Sequence, residues 1–190
     1  MSLSPTKYKI LETMLLLDKP ERATHIAKET GKEFPSVMMH IIGLTRMGYA
    51  ASPEKGVYVI TEKGKKALGI PEINSENAKA MLAPMPNDKS FHFYAGIGKP
   101  LSLDANSLQD FCDKILQVNM DAIEFHKSRG DFEAWFTGLG DVELAKKTAL
   151  LKEKKMDGEE LRSKLHGIIE NRCMVLSSAA GQMVSPESAT

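Results

Sequence analysis

Tyr8, Ile10, Leu11, Met14, Leu15 and Leu17 recur at helical spacing and predict a first helix over Pro5–Leu17. Ser4 is placed to cap it, Pro5 suits its first turn, and Asp18, Lys19 and Pro20 end it. A second, shorter helix is predicted from about Thr24 to Thr30, with Ile26 and Ala27 facing inward and Gly31 as a left-handed stop. The third covers roughly Pro35 to Met47, where Val37, Ile41 and Leu44 fall at i, i+4 and i+7. After Gly48 the pattern turns β-favouring. Tyr49–Ser52 and Val57–Thr61 read as two short strands joined by a turn over Pro53, Glu54, Lys55 and Gly56. Thr61 then caps a short helix in the segment TEKGKKALG.

Residues 71–90 read as a linker, because the segment holds Pro71, Pro84 and Pro86 together with Asn74, Asn77 and Asn87; Ser75–Leu82 has room for one or two helical turns. Phe91–Tyr94 alternates like a strand with both Phe on one face, and Lys99–Leu103 is its candidate partner. Leu108, Phe111, Cys112, Ile115 and Leu116 mark a helix over Ser107–Val118. Asn119 caps a helix from Met120 to Lys127, although Ile123–His126 also alternates like a strand. Gly130 stops that segment. Asp131 is expected to cap DFEAWF, and Asp141 to cap VELAKKTALLKEKK. A last long helix runs from Glu159 to about Leu176, its inward stripe made of Leu161, Leu165, Ile168, Ile169, Cys173 and Leu176.

The fold class is therefore mainly α with small β: an N-terminal helix-turn-helix with a hairpin over residues 1–70, a linker over 71–90, a mostly helical domain with a short β-hairpin over 91–177, and a flexible tail over 178–190. Composition changes little in this picture. The chain of 190 residues is 42% hydrophobic and 26% charged, as expected of a water-soluble protein. No apolar run approaches the roughly 20 residues that span a bilayer, and MSLSPTKYK lacks the apolar centre of a signal peptide, so a cytoplasmic protein with no membrane partner is expected. Cys112 and Cys173 have no metal or disulfide spacing and read as buried packing residues.

Charge adds a hint of function. Net charge is zero, but residues 1–70 hold eleven Lys/Arg against seven Asp/Glu (+4), and residues 71–190 hold fourteen against eighteen (−4). A basic binding module joined to a mildly acidic domain fits this split. The order helix, turn, helix, hairpin is that of the winged variant of the helix-turn-helix, whose second motif helix can lie in a DNA major groove. Ser36, Met39, His40, Gly43 and Arg46 share the outer face of that helix. Ser36, Met39 and His40 would approach base edges, and Arg46 would meet phosphate. Lys32 in the turn, Lys55 in the hairpin and the cluster Lys63, Lys65 and Lys66 complete the candidate DNA-binding set.

Residues 5–69 resemble archaeal and bacterial winged-helix transcriptional regulators of the multiple-antibiotic-resistance and related classes. The matching residues are Ile26-Ala27, Gly31, Ser36-Val37, His40-Ile41, Leu44, Gly48-Tyr49, Tyr58-Val59-Ile60-Thr61 and Gly64. That resemblance implies sequence-selective binding of duplex DNA, usually as a homodimer. Many such proteins carry Arg or Lys where this chain has Met39. The alternative is a protein-interaction adaptor that presents Met39 and Gly43 to a protein partner.

The pieces SLQDFCDKI, AIEFHKSRGDFEAWF, LGDVELA and GEELRSKLHGIIE resemble an uncharacterised, mostly helical prokaryotic domain, which implies a fold and no chemistry. Six of the seven Phe and the only Trp fall between residues 91 and 136. Among them His92, His126, Asp131, Glu133 and Trp135 make one constellation. A core explains it, with Asp131 as a helix cap and Trp135 as packing. The other reading is a pocket for a small-molecule effector built on His92, His126, Asp131 and Trp135. The spacing matches no zinc motif, and the chain has no nucleophile elbow, phosphate loop or paired-carboxylate motif. No metal, cofactor or catalytic residue is expected, and a regulator rather than an enzyme is the reading carried forward.

Overall fold

The first helix, α1 (Pro5–Leu17), buries Ile10, Leu11, Met14, Leu15 and Leu16. Leu16 rather than Leu17 completes the stripe. Ser4 caps the start, accepting the Lys7 N–H at 3.4 Å, and Asp18 ends the helix in the left-handed conformation at φ 60°. The structure is a computed structural model that describes residues 3–154 and 156–181. The chain divides into two units, residues 1–72 and 73–190, and is mainly helical with small antiparallel sheets.

In the first unit β1 (Glu21–Arg22) leads into α2 (Ala23–Thr30), which Gly31 stops at φ 65° with its N–H on the Ala27 and Lys28 carbonyls. Then come α3 (Phe34–Arg46), β2 (Ala50–Glu54), β3 (Val57–Ile60) and α4 (Glu62–Ala67). Helices α1, α2 and α3 pack on one another, with Val37, Ile41 and Leu44 fully buried on α3. Burial of each such side chain is worth about 1.5–3 kcal/mol before the cost of ordering it. The sheet has three strands in the order β1-β3-β2 rather than the two of the expected hairpin. Glu21 pairs with Tyr58 and Arg22 with Val57, and two residues are too few to carry an alternating pattern in sequence. Strand β2 runs on through Pro53 and Glu54, so the turn narrows to Lys55 and Gly56, the latter at φ 79°.

One close approach locks the sheet to α4. Thr61 caps α4 through the Gly64 N–H at 3.1 Å and donates to the Gly48 carbonyl at 2.7 Å. A Cβ at Gly64 would lie 2.2 Å from the Tyr49 carbonyl oxygen and 2.7 Å from Ile60 Cγ1, so only glycine fits.

The second unit begins inside the expected linker. Helix α5 (Ser75–Leu82) is capped by Asn74, buries Ala78 and Met81, and packs against α10 (Gly158–Ala179). The prolines at 84 and 86 follow it without keeping this stretch from the core. Strands β4 (Phe91–Tyr94) and β5 (Pro100–Ala105) form an antiparallel hairpin, with Phe91 opposite Ala105 and His92 opposite Asp104. Around them lie α6 (Leu108–Ile115), α7 (Met120–Arg129), α8 (Asp131–Gly138) and α9 (Val142–Glu153). Residues 123–126 are helical, which resolves their ambiguous alternation. Asp141 caps α9 through the Leu144 N–H at 3.0 Å. Helix α9 stops at Glu153, and Lys155 of its expected span lies outside the described residues. Helix α10 extends to Ala179, into the expected tail, because Ala180 is buried beyond it; residues 182–190 lie outside the described residues.

Candidate functional site

The outer side of α3 follows from its inner side. With Val37, Ile41 and Leu44 buried, the opposite arc carries Met39 and Arg46, both exposed, and the partly covered Ser36, His40 and Gly43. Lys32 is exposed in the turn before α3, and Lys55 at the tip of the β2–β3 turn. Lys7 joins this face from α1. A methyl group at Gly43 would touch its Cε at 3.5 Å and its Nζ at 3.6 Å, so the bare glycine backbone makes room for the lysine chain. Lys7 is not in the DNA-binding set expected from the sequence. The signal that could have found it is Gly43 itself, a residue unfavourable inside a helix unless something needs the space.

Each of the three lysines of the 63–66 cluster has a partner within the chain. Lys63 donates to the Met47 carbonyl at the end of α3 at 2.7 Å and lies 4.8 Å over the Tyr49 ring. Lys65 pairs with Glu62 at 3.3 Å. Lys66 meets Glu72 at 2.6 Å, and the pair holds Lys66 above the usual lysine value and Glu72 below the usual carboxylate value. Spacing along one short helix suggested a basic stripe; their neighbours in space are acids, a carbonyl and a ring.

Helix α3 also carries exposed apolar side chains, of which Met39 lies on that outer arc. Phe34, Met39 and Ile42 are the exposed large hydrophobic residues of the first unit among the described residues, and all three belong to α3.

In the second unit His92, His126, Asp131 and Trp135 line one cleft of about 400 Å³, together with Phe91, Tyr94, Ile97, Phe125 and Arg129. Glu133, the remaining member of the constellation, does not line it. Alternation in β4 sends Phe91 and Phe93 into the core and leaves His92 and Tyr94 on the other side. Phe91 meets Phe93, Phe111, His126 and Trp135 edge to face at 4.8–5.6 Å, a favourable arrangement for ring quadrupoles.

Buried His126 has a defined tautomer. Its Nε2 accepts the Tyr94 backbone N–H at 2.9 Å, so Nδ1 carries the proton and donates to Asp131 Oδ2 at 2.8 Å. Burial pushes the imidazole below its ordinary value of 6.5, while Asp131 pulls it the other way. Both ring nitrogens are engaged, and neither is free to exchange a proton with a bound molecule. Asp131 was expected to cap α8. Instead Gly130, at φ 77°, occupies the cap position, and Asp131 is the first helical residue with its carboxylate turned to His126. It also takes the Arg129 Nε–H at 3.0 Å. Trp135 stacks on Phe111 and donates Nε1–H to the Lys89 carbonyl at 3.0 Å. Arg129, which sequence reading passed over, has its guanidinium carbon 5.1 Å over the Phe125 ring.

A second polar cluster had no signature in sequence. Arg172 of α10 pairs through Nε with Asp141 at 2.8 Å and through Nη1 with Glu143 at 2.9 Å, and Glu143 pairs with Lys147 at 2.8 Å. All four side chains are buried and their formal charges cancel. Cys112 and Cys173 are buried free thiols, pushed by burial up to about 11 and about 12, and so stay protonated and inert. Among the described residues no group of three or more His, Cys, Asp and Glu is arranged to hold a metal ion, and no helix is long and apolar enough to cross a membrane. Comparisons with protein-family models, with curated proteins and with solved structures find no match to this chain.

Proposed function

We propose that residues 1–72 are a winged-helix module that binds duplex DNA, with α3 in the major groove and the β2–β3 turn as the wing. The observation that carries this reading is Arg46, exposed on the outer arc of α3 with no ion-pair partner among the described residues. Lys7, Lys32 and Lys55 are likewise without an acidic partner there. The order α1, β1, α2, α3, β2, β3, with β3 central in the sheet, supports the same reading. Met39 offers apolar contact to a thymine methyl, and Ser36 and His40 are within the arc that would approach bases. The protein would act as a transcriptional regulator and bind as a homodimer, with the second unit serving dimerisation, ligand sensing or partner binding.

Titration of duplex DNA at several salt concentrations tests it. Four phosphate contacts per subunit give a slope of about −3.6 in log K against log salt, and a homodimer about twice that. A flat response, or no binding at low salt, rejects the reading.

A second reading is favoured by the exposed trio Phe34, Met39 and Ile42: a protein-interaction adaptor whose α3 docks an apolar surface. Met39→Arg separates the two. DNA affinity rises and the salt slope steepens by about 0.9 per subunit if α3 meets DNA. Affinity for a protein partner falls if it meets an apolar surface.

A further inference from the structure

The cleft of the second unit has more built into it than a packing defect. Its walls are rings: Phe91, Tyr94, Phe125 and Trp135, with Ile97 at the mouth, 86% exposed. Its volume of about 400 Å³ lies within the range of small-molecule sites, roughly 300–1,000 Å³. The polar groups then decide what kind of molecule fits. Trp135 has already given its Nε1–H to Lys89, and His126 has both nitrogens engaged, so each offers the cleft ring surface only. His92 donates Nε2–H to the Asn87 carbonyl at 3.0 Å.

The Asp131 carboxylate would be the anchor for a cationic guest in such an aromatic box. It is spoken for: Oδ2 accepts from His126 and from Arg129, and Oδ1 lies 3.3 Å from Arg129 Nε. Of the charged groups lining the cleft, what remains open is the far edge of the Arg129 guanidinium, since only its Nε is bonded among the described residues. That edge presents paired N–H donors and a positive charge, the fork that recognises a carboxylate. Asp131 and the Phe125 ring hold it in place from the other side.

We propose that this cleft binds a small aromatic carboxylate, its ring among Tyr94, Phe125 and Trp135 and its carboxylate on the outer edge of Arg129. His126 and Asp131 act as positioning residues. Asp131 links the buried imidazole to the arginine, so the anion-binding edge is set from inside the core. The inference is independent of DNA binding by the first unit, and its test uses no DNA.

Trp135 is the only tryptophan and lines the cleft, so its emission reads occupancy in the full-length chain. The probes are phenylpropionate and its neutral and cationic counterparts, phenylpropanol and phenylpropylamine. Phenylpropionate is expected to give a saturable change. Both counterparts, and phenylpropionate on Arg129→Gln, should be weaker by about tenfold or more, as loss of a charge-assisted hydrogen bond requires. The proposal is overturned by an absent or non-saturable response, by equal binding of the three probes, by tighter binding of the amine, or by unchanged affinity in a folded Arg129→Gln variant. Should Arg129→Gln lose its native circular dichroism, Ile97→Asp replaces it. This substitution puts a carboxylate at the exposed mouth, and several-fold weaker phenylpropionate binding is expected; unchanged binding overturns the proposal.

Discussion

The two units solve the same problem of stability with different materials. Among the described residues the core of the first unit is apolar throughout except for Thr13, whose hydroxyl donates to the Lys9 carbonyl of its own helix at 3.0 Å. The second unit buries Ser90, His126, Asp141, Glu143, Lys147, Thr148 and Arg172. The first relies on side-chain volume and one glycine contact. The second adds charge networks that must be satisfied all at once, because a buried charge without its partner costs far more than the pair gains. The difference teaches where each unit is vulnerable: the first to a wrong size, the second to a missing partner.

The largest expected effect tests the charged side of that contrast. Arg172→Ala removes the group that Asp141 and Glu143 share, and should cost the second unit about 3–5 kcal/mol in urea unfolding followed by Trp135 emission. A loss under about 1 kcal/mol would mean the network tolerates solvent, and the contrast would collapse. Next comes the size-limited side. Gly64→Ala forces a methyl against the Tyr49 carbonyl and should destabilise the first unit by about 1–3 kcal/mol, seen as faster hydrogen exchange in β2, β3 and α4. Unchanged exchange there would show that the sheet shifts freely.

The third effect depends on pH. His126 titrates below its ordinary value of 6.5 in the folded chain, so the unfolded chain takes up a proton first as pH falls. Stability therefore declines as pH drops through 6.5, and this loss levels off below the lower folded value. Urea midpoints measured between about pH 7 and about pH 5 should fall more steeply for the wild type than for His126→Asn. Equal slopes would remove His126 from the acid response. The smallest effect is expected at Thr13→Val, within about 1 kcal/mol in urea unfolding of the first unit followed by hydrogen exchange in α1, since the Lys9 carbonyl it releases belongs to a helix that already has a backbone donor for it. A larger loss would give the first unit a polar core after all.

Legibility in the sequence follows the same division. The helix α3 was readable from Val37, Ile41 and Leu44, and the caps Ser4, Thr61, Asn119 and Asp141 from their positions before apolar periodic runs. Strand β1 was not, because two residues gain their structure from pairing with β3 rather than from their own pattern. The cleft residues His92, His126, Asp131 and Trp135 could be grouped from composition, but the roles within the group could not. Asp131 looked like a cap because acids often begin helices; the left-handed Gly130 before it freed its carboxylate for His126. Lys63 and Lys66 looked like parts of a basic stripe because their partners Met47, Tyr49 and Glu72 lie on other elements.

The sequence by itself determined most of the helices and which face of each is apolar, since these depend on residues within a turn or two of one another. Tertiary structure alone decided which charges are buried, which nitrogen of His126 holds the proton, and which lysines remain open at α3. Those properties arise from groups far apart in the chain, such as Arg172 with Asp141 and Tyr94 with His126, and folding has to bring them within hydrogen-bond distance before they exist.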